Sequence, residues 1–204
     1  MEKELATPDQ YPLSLSSLLA ACCQKSNRHP VMELDSESVE IALGVIRREK
    51  KWATLIHEAG ARVAKYRHEL AEFFGLEPVA QAVLTELLLR GPQTVAELRN
   101  RVPRMVPTLR NGQVEEALEQ LKELKGMELV RELPKAPGRR EIRFAEVMSG
   151  GIPDAPEGAD RVVIEAPHSQ EEKRIEVLEE QVKQLETALQ SLQQQFEDFK
   201  SSFE

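Results

Sequence analysis

The stretch GARVAKYRHEL (residues 60–70) returns 78 residues later as GRREIRFAEVM (residues 138–148). Both fit G-x-R-x-x-[KR]-[YF]-x-[HE]-x-[LM]. Ala64 and Tyr66 alternate with Lys65 and Arg67 in the first copy, and Ile142 and Phe144 flank Arg143 in the second. A period of two is a β-strand with one face on a core and the other in solvent. Gly60 and Gly138 lead into these strands, where a reversing chain favours the left-handed backbone that glycine tolerates. Two such strands at nearly constant spacing predict a repeated unit.

The repeat extends upstream. SVEIALGVI (38–46) aligns with QVEEALEQL (113–121), and Val39, Ala42, Leu43 and Ile46 match Val114, Ala117, Leu118 and Leu121. That spacing is an amphipathic helix. Each helix leads to a short apolar strand, TLIH (54–57) or ELVR (128–131), then a turn, then the strand quoted first. Trp52 stands just before the first hairpin. Further upstream, LSSLLAAC (15–22) puts Leu15, Leu18, Leu19 and Cys22 on one helical face. Its expected counterpart is VLTELLLR (83–90), which Gly91-Pro92 ends. Thr94-Val-Ala-Glu97 is a capping box that opens a middle helix through about Val102. In the first copy only Lys25 to Leu34 lies between the two helices, interrupted by Pro30, so its middle helix is expected to be one turn or a remnant. Helix, helix, helix, hairpin is the order of a winged helix. The fold class expected is therefore mainly α with small β-hairpins (α+β): two tandem winged-helix domains, 8–74 and 75–150, each with its own small core.

Four stretches carry a resemblance to a known family: LAACCQKSNRHPVM (19–32), RVAKYRH (62–68), LLRGPQTVAELR (88–99) and Gly138-Arg139-Arg140-Glu141. Together they resemble the YceH-like family of bacterial proteins over about residues 12–150. The most specific of them is the CQKSNRHPVM run, which no generic helix-turn-helix needs. The resemblance implies two tandem winged-helix domains. It implies no assigned activity and transfers no catalytic or ligand residues.

Beyond Met148 the composition turns to Pro, Gly, Ala and acids, which predicts a flexible linker over 151–169. A heptad seam then runs through Ile175, Leu178, Val182, Leu185, Leu189, Leu192, Phe196 and Phe199, with Phe203 after it. Residues 170–204 thus read as a coiled-coil helix, and the Ile and Val at a with Leu at d favour two parallel strands. The expected assembly is a homodimer through this helix. A helix folded back on the body is the alternative, although its apolar stripe is usually wider.

The net charge of −8 lies wholly in that tail: the first 150 residues carry 22 Lys/Arg against 22 Asp/Glu. No apolar run of bilayer length occurs, and the first residues, MEKELATPDQYP, lack the pattern of a signal peptide. Cys22 and Cys23 are adjacent and read as reduced thiols, so a cytoplasmic protein is expected. His29, His57, His68 and His168 are scattered without metal-ligand spacing, and no Gly-rich phosphate loop occurs. No enzyme activity, cofactor or metal is expected.

Two functional readings remain. In the first, basic wings contact DNA phosphates, the candidates being Lys25, Arg28, Arg62, Lys65, Arg67, Arg139, Arg140 and Arg143. Further cations stand in RREKK (47–51) and at Lys135. The third helices oppose it: Leu34 to Glu40 carries Asp35, Glu37 and Glu40, and the second copy carries Glu115, Glu116, Glu119 and Glu123. In the second reading the chain is a protein-interaction scaffold that uses those acidic helices and a dimerising tail.

Overall fold

The computed structural model describes residues 1–57, 60, 62–135 and 141–150. Arg139 and Arg140, Gly138, the linker over 151–169 and the whole seam from Ile175 to Phe199 lie outside the described residues.

The chain opens with α1 (Glu2–Ala6) and a 3-10 turn, then β1 (Leu13–Ser14), α2 (Leu15–Cys22), α3 (Ser36–Arg48), β2 (Ala53–Ile56) and β3 (Lys65–His68). After α4 (Leu70–Phe74) the order repeats as α5 (Pro78–Arg90), β4 (Gln93–Thr94), α6 (Val95–Arg101), α7 (Gln113–Lys122), β5 (Val130–Glu132) and β6 (Arg143–Glu146). Local chemistry sets the ends. Ser14 caps α2 by accepting from Ser17 N, and Asp35 caps α3 by accepting from Ser38 N. Thr94 and Glu97 form the reciprocal capping box of α6. Pro78 starts α5, where its missing N–H costs nothing, and Gly91 ends it at a φ of 71°.

Two separate antiparallel sheets result, β1-β3-β2 and β4-β6-β5. Their registers are equivalent. Leu13 and Ser14 pair with Tyr66 and Lys65, as Gln93 and Thr94 pair with Phe144 and Arg143. The strands read from the repeated motif are therefore β3 and β6, with Tyr66 and Phe144 in matching places. Gly60 holds a φ of 82° before β3, as a turn there requires.

The same registers correct the upstream alignment. PLSL (12–15) takes the place of PQTV (92–95), so α2 is the counterpart of α6, the middle helix, and not of α5. No middle helix is missing from the first half. The shortened element is the first helix, α1, with five residues against thirteen in α5.

That shortening explains where the core sits. The core is one cluster running from Phe74 to Phe144, and α5 packs against α7 at its centre. All four apolar positions expected on α7, Val114, Ala117, Leu118 and Leu121, are buried. In α3 only Val39 and Leu43 are; Ala42 is exposed and Ile46 is 37% exposed. The short α1 does not supply the cover that α5 gives α7. It packs against α5, and Met1, Leu5 and Ala6 join the larger core instead. Trp52 joins it as well, 6.1 Å from Phe74 between ring centroids. Phe74 and Leu76, on either side of the expected 74/75 boundary, both belong to this core. Among the described residues of the first half, the buried apolar side chains ahead of Phe74 are Val39 and Leu43.

Candidate interaction surface

Arg28 is not a surface cation. Its Nη2 donates to Glu2 Oε2 at 2.6 Å and to the Ala21 carbonyl at 2.7 Å, and its Nη1 donates to the Asn27 carbonyl. Glu2 also accepts from Arg104, whose other terminal nitrogen donates to Glu86 at 3.0 Å. Glu86 faces Arg90, and Arg90 donates to Asn27 Oδ1. The polar groups thus close a ring that joins α1, the 24–34 loop, α5 and the turn after α6. Burial alone would raise the Glu2 carboxyl, but the hydrogen bonds and charges of Arg28 and Arg104 outweigh it and hold it below the usual range. His29 N donates to the Leu89 carbonyl at 2.9 Å, and Cys23 Sγ accepts from Leu34 N at 3.3 Å. The CQKSNRHPVM run (23–32) is therefore a clasp between the two halves. Of its two candidate phosphate contacts, Arg28 is removed and Lys25 stays exposed.

The structure brings Arg62, Lys65 and Arg67 together on β3 and its lead-in. Arg62 is exposed and Lys65 half-buried. Arg67 is exposed but partly neutralised, because Nε and Nη2 both donate to Glu69 Oε1, at 3.1 and 2.9 Å. In the second half, Arg143 donates twice to the Pro92 carbonyl, at 3.2 and 2.6 Å, and lies 3.4 Å from Glu97. It braces β6 against the β4 lead-in and is not positioned for a phosphate.

The third helices present different faces. Along α7 the solvent side is acidic, with Glu116, Glu119 and Glu123 exposed beside Gln120. Glu115 pairs with Arg99 of α6, and Lys122 with Glu119 and Glu132. Along α3 the solvent side is apolar: Ile41 is 45% exposed and Val45 37%. At 3.6 residues per turn these two point away from Val39 and Leu43, so they are not the edge of the core face. Sequence reasoning passed them over. Their signal was there, since IALGVI (41–46) is apolar almost all round, which a helix seated on a single core does not need.

No group of three His, Cys, Asp or Glu side chains among the described residues is placed to hold a metal ion. Burial raises the Cys22 thiol above its ordinary value. No described helix is long and apolar enough to cross a membrane.

A family profile described as "Protein of unknown function, DUF480" matches residues 1–139. A UPF0502 protein of Pelobacter propionicus is 46% identical over 208 residues, covering all of this chain and 93% of the relative. One of Geobacter metallireducens is 47% identical over 212 residues with the same coverage, and one of Solibacter usitatus is 39% identical over 197, covering 97% of this chain and 92% of the relative. These relatives run through the tail as well as the described body. The chain belongs to the DUF480/UPF0502 family of bacterial proteins of unknown function, the kind of family to which the CQKSNRHPVM run and the repeated strands pointed.

Proposed function

We propose that residues 1–150 are two winged helices in tandem, and that the chain is a non-enzymatic protein-interaction module whose binding face is the third helix of the first unit. The matched strand orders and registers support the first part. The observation that carries the second is the solvent face of α3, where Ile41 and Val45 stand exposed. A third helix that enters a major groove is flanked by phosphates and needs cations and hydrogen-bond donors on that face. Here α3 offers two aliphatic side chains beside Glu37 and Glu40, and α7 offers carboxylates. An apolar face flanked by charge suits a protein surface.

The DNA reading retains one specific support, the cations Arg62, Lys65 and Arg67 on one wing. A salt-dependent titration of the full chain with random duplex DNA separates the two. The expected result is no binding at low salt. Binding that weakens steeply with salt, and that is lost when Arg62, Lys65 and Arg67 are changed to Glu, would return the DNA reading to first place.

A further inference from the structure

The exposed stripe of α3 changes sign along its length. At 100° per residue, Glu37, Ile41, Gly44, Val45 and Arg48 share the side of the helix opposite Val39 and Leu43. Glu37, Ile41, Val45 and Arg48 are all exposed. The stripe is thus acidic at the start of the helix, aliphatic in the middle and basic at the end. Gly44 leaves a notch in it. The Arg48 side chain lies over that notch, its Nε 3.4 Å from the Gly44 carbonyl. Neither Glu37 nor Arg48 forms an ion pair among the described residues, so both charges are available for a partner.

Such a stripe is complementary to itself when turned end for end. A two-fold axis midway between Ile41 and Val45 sets Ile41 of one copy against Val45 of the other. It also brings Glu37 of each copy to Arg48 of the other. A parallel arrangement would stack Glu37 on Glu37 and Arg48 on Arg48, which repels. We propose that α3 is the seam of an antiparallel, two-fold self-association between two copies of this chain. The proposal rests on the reading of α3 as a protein-binding face and names its occupant.

Two further observations favour a second copy. Among the described residues, the large apolar side chains left exposed are concentrated in the first half: Val31, Met32, Ile41, Val45, Ile46, Val63 and Phe73, against Leu88 and Met127 in the second. Among the described residues of that half, Val39 and Leu43 are the only buried apolar side chains before Phe74, so it gains most from added cover. An isologous contact supplies that cover to both copies at once. A membrane surface fits poorly, because Glu37 and Glu40 flank the apolar residues on the side an anionic lipid would approach. One helix pair is smaller than a standard interface, so the association should be weak and reversible.

The test is sedimentation equilibrium of the full chain carrying Leu185→Lys and Leu189→Lys, which removes any contribution from the tail seam. Concentration-dependent dimer is expected in this parent. Adding Ile41→Asp and Val45→Asp should leave only monomer, with an unchanged circular dichroism spectrum because both sites are exposed. Glu37→Arg or Arg48→Glu alone should weaken the dimer about 5-fold, and the two together should restore it to within about 2-fold. A parent that stays monomeric overturns the self-association, while α3 remains open to a different protein. A double charge swap weaker than either single change overturns the antiparallel register. The wider protein-binding reading fails separately, if the duplex titration shows DNA bound and Ile41→Asp with Val45→Asp abolishes it.

Discussion

Arg28 Nη2 stands 2.6 Å from Glu2 Oε2, with each side chain only 5% exposed. This contact joins α1 to the CQKSNRHPVM run (23–32). Removing one member of a buried pair leaves the other charge without its compensation, which is strongly destabilising. Arg28→Ala should lower the unfolding free energy by about 3 kcal/mol. Urea denaturation monitored by circular dichroism measures it. Arg28→Lys should recover only part of the loss, since an ammonium cannot serve the Glu2, Ala21 and Asn27 oxygens with the geometry of a guanidinium.

Buried and exposed apolar positions should separate cleanly. Leu98 and Leu121 are fully buried, and truncating either to Ala should cost about 3 kcal/mol. Ile41→Ser and Val45→Ser should each stay within about 0.5 kcal/mol of the parent in dilute solution. A large loss at either α3 site would mean that the face is covered within the monomer. Chemical denaturation of the four single variants gives the comparison.

His68 should make stability depend on pH. Its Nε2 lies 2.6 Å from Glu4 Oε2, yet burial, and then the nearby terminal amine of Met1, lower its pKa despite the pull of Glu4. At neutral pH the contact is thus a hydrogen bond from a neutral ring. Its buried Nδ1 has no partner among the described residues, so a proton added there would meet no acceptor. A folded pKa below the unfolded value near 6.5 means that the unfolded chain binds the proton first. The contribution is complete above that value and is lost as pH falls below it. The carboxyls of Glu2 and Glu4, also lowered, add a further loss below about pH 4.5. Melting temperature should fall between about pH 7 and pH 5. The Met1 amine, lowered by burial from 8.0 to about 5, contributes over the same window, so His68→Gln should flatten that part of the curve only in part. The same slope in both proteins would place the sensitivity elsewhere.

The tail reading has its own check. Leu185 and Leu189 lie in the heptad seam, and Lys at both puts charge where knobs must pack. Light scattering at concentrations where α3 pairing is negligible should give a dimer for the parent and a monomer for the double variant. An identical mass in both would remove the tail as a dimer interface.

Local pattern in the sequence was enough for several helices and strands, though not for α1, α4, β1 or β4. Period two around Tyr66 and Phe144 marked β3 and β6, the apolar spacing of Val114 to Leu121 marked α7, and Thr94 with Glu97 marked the start of α6. These are properties of a few consecutive residues, so they are legible without knowing what each segment touches. Tertiary structure decided three other things. Pairing of Leu13 with Tyr66 made α2 the counterpart of α6, although PLSL (12–15) and PQTV (92–95) held the signal. Glu2, 26 residues from Arg28 and 102 from Arg104, turned a candidate phosphate contact into an internal clasp. And α1, short and drawn to α5, left Ala42 and Ile46 of α3 exposed, while the matching Ala117 and Leu121 of α7 are buried under α5. Each outcome depends on contacts between segments far apart in sequence, and a side chain's burial or exposure is set by those contacts and not by its neighbours along the chain.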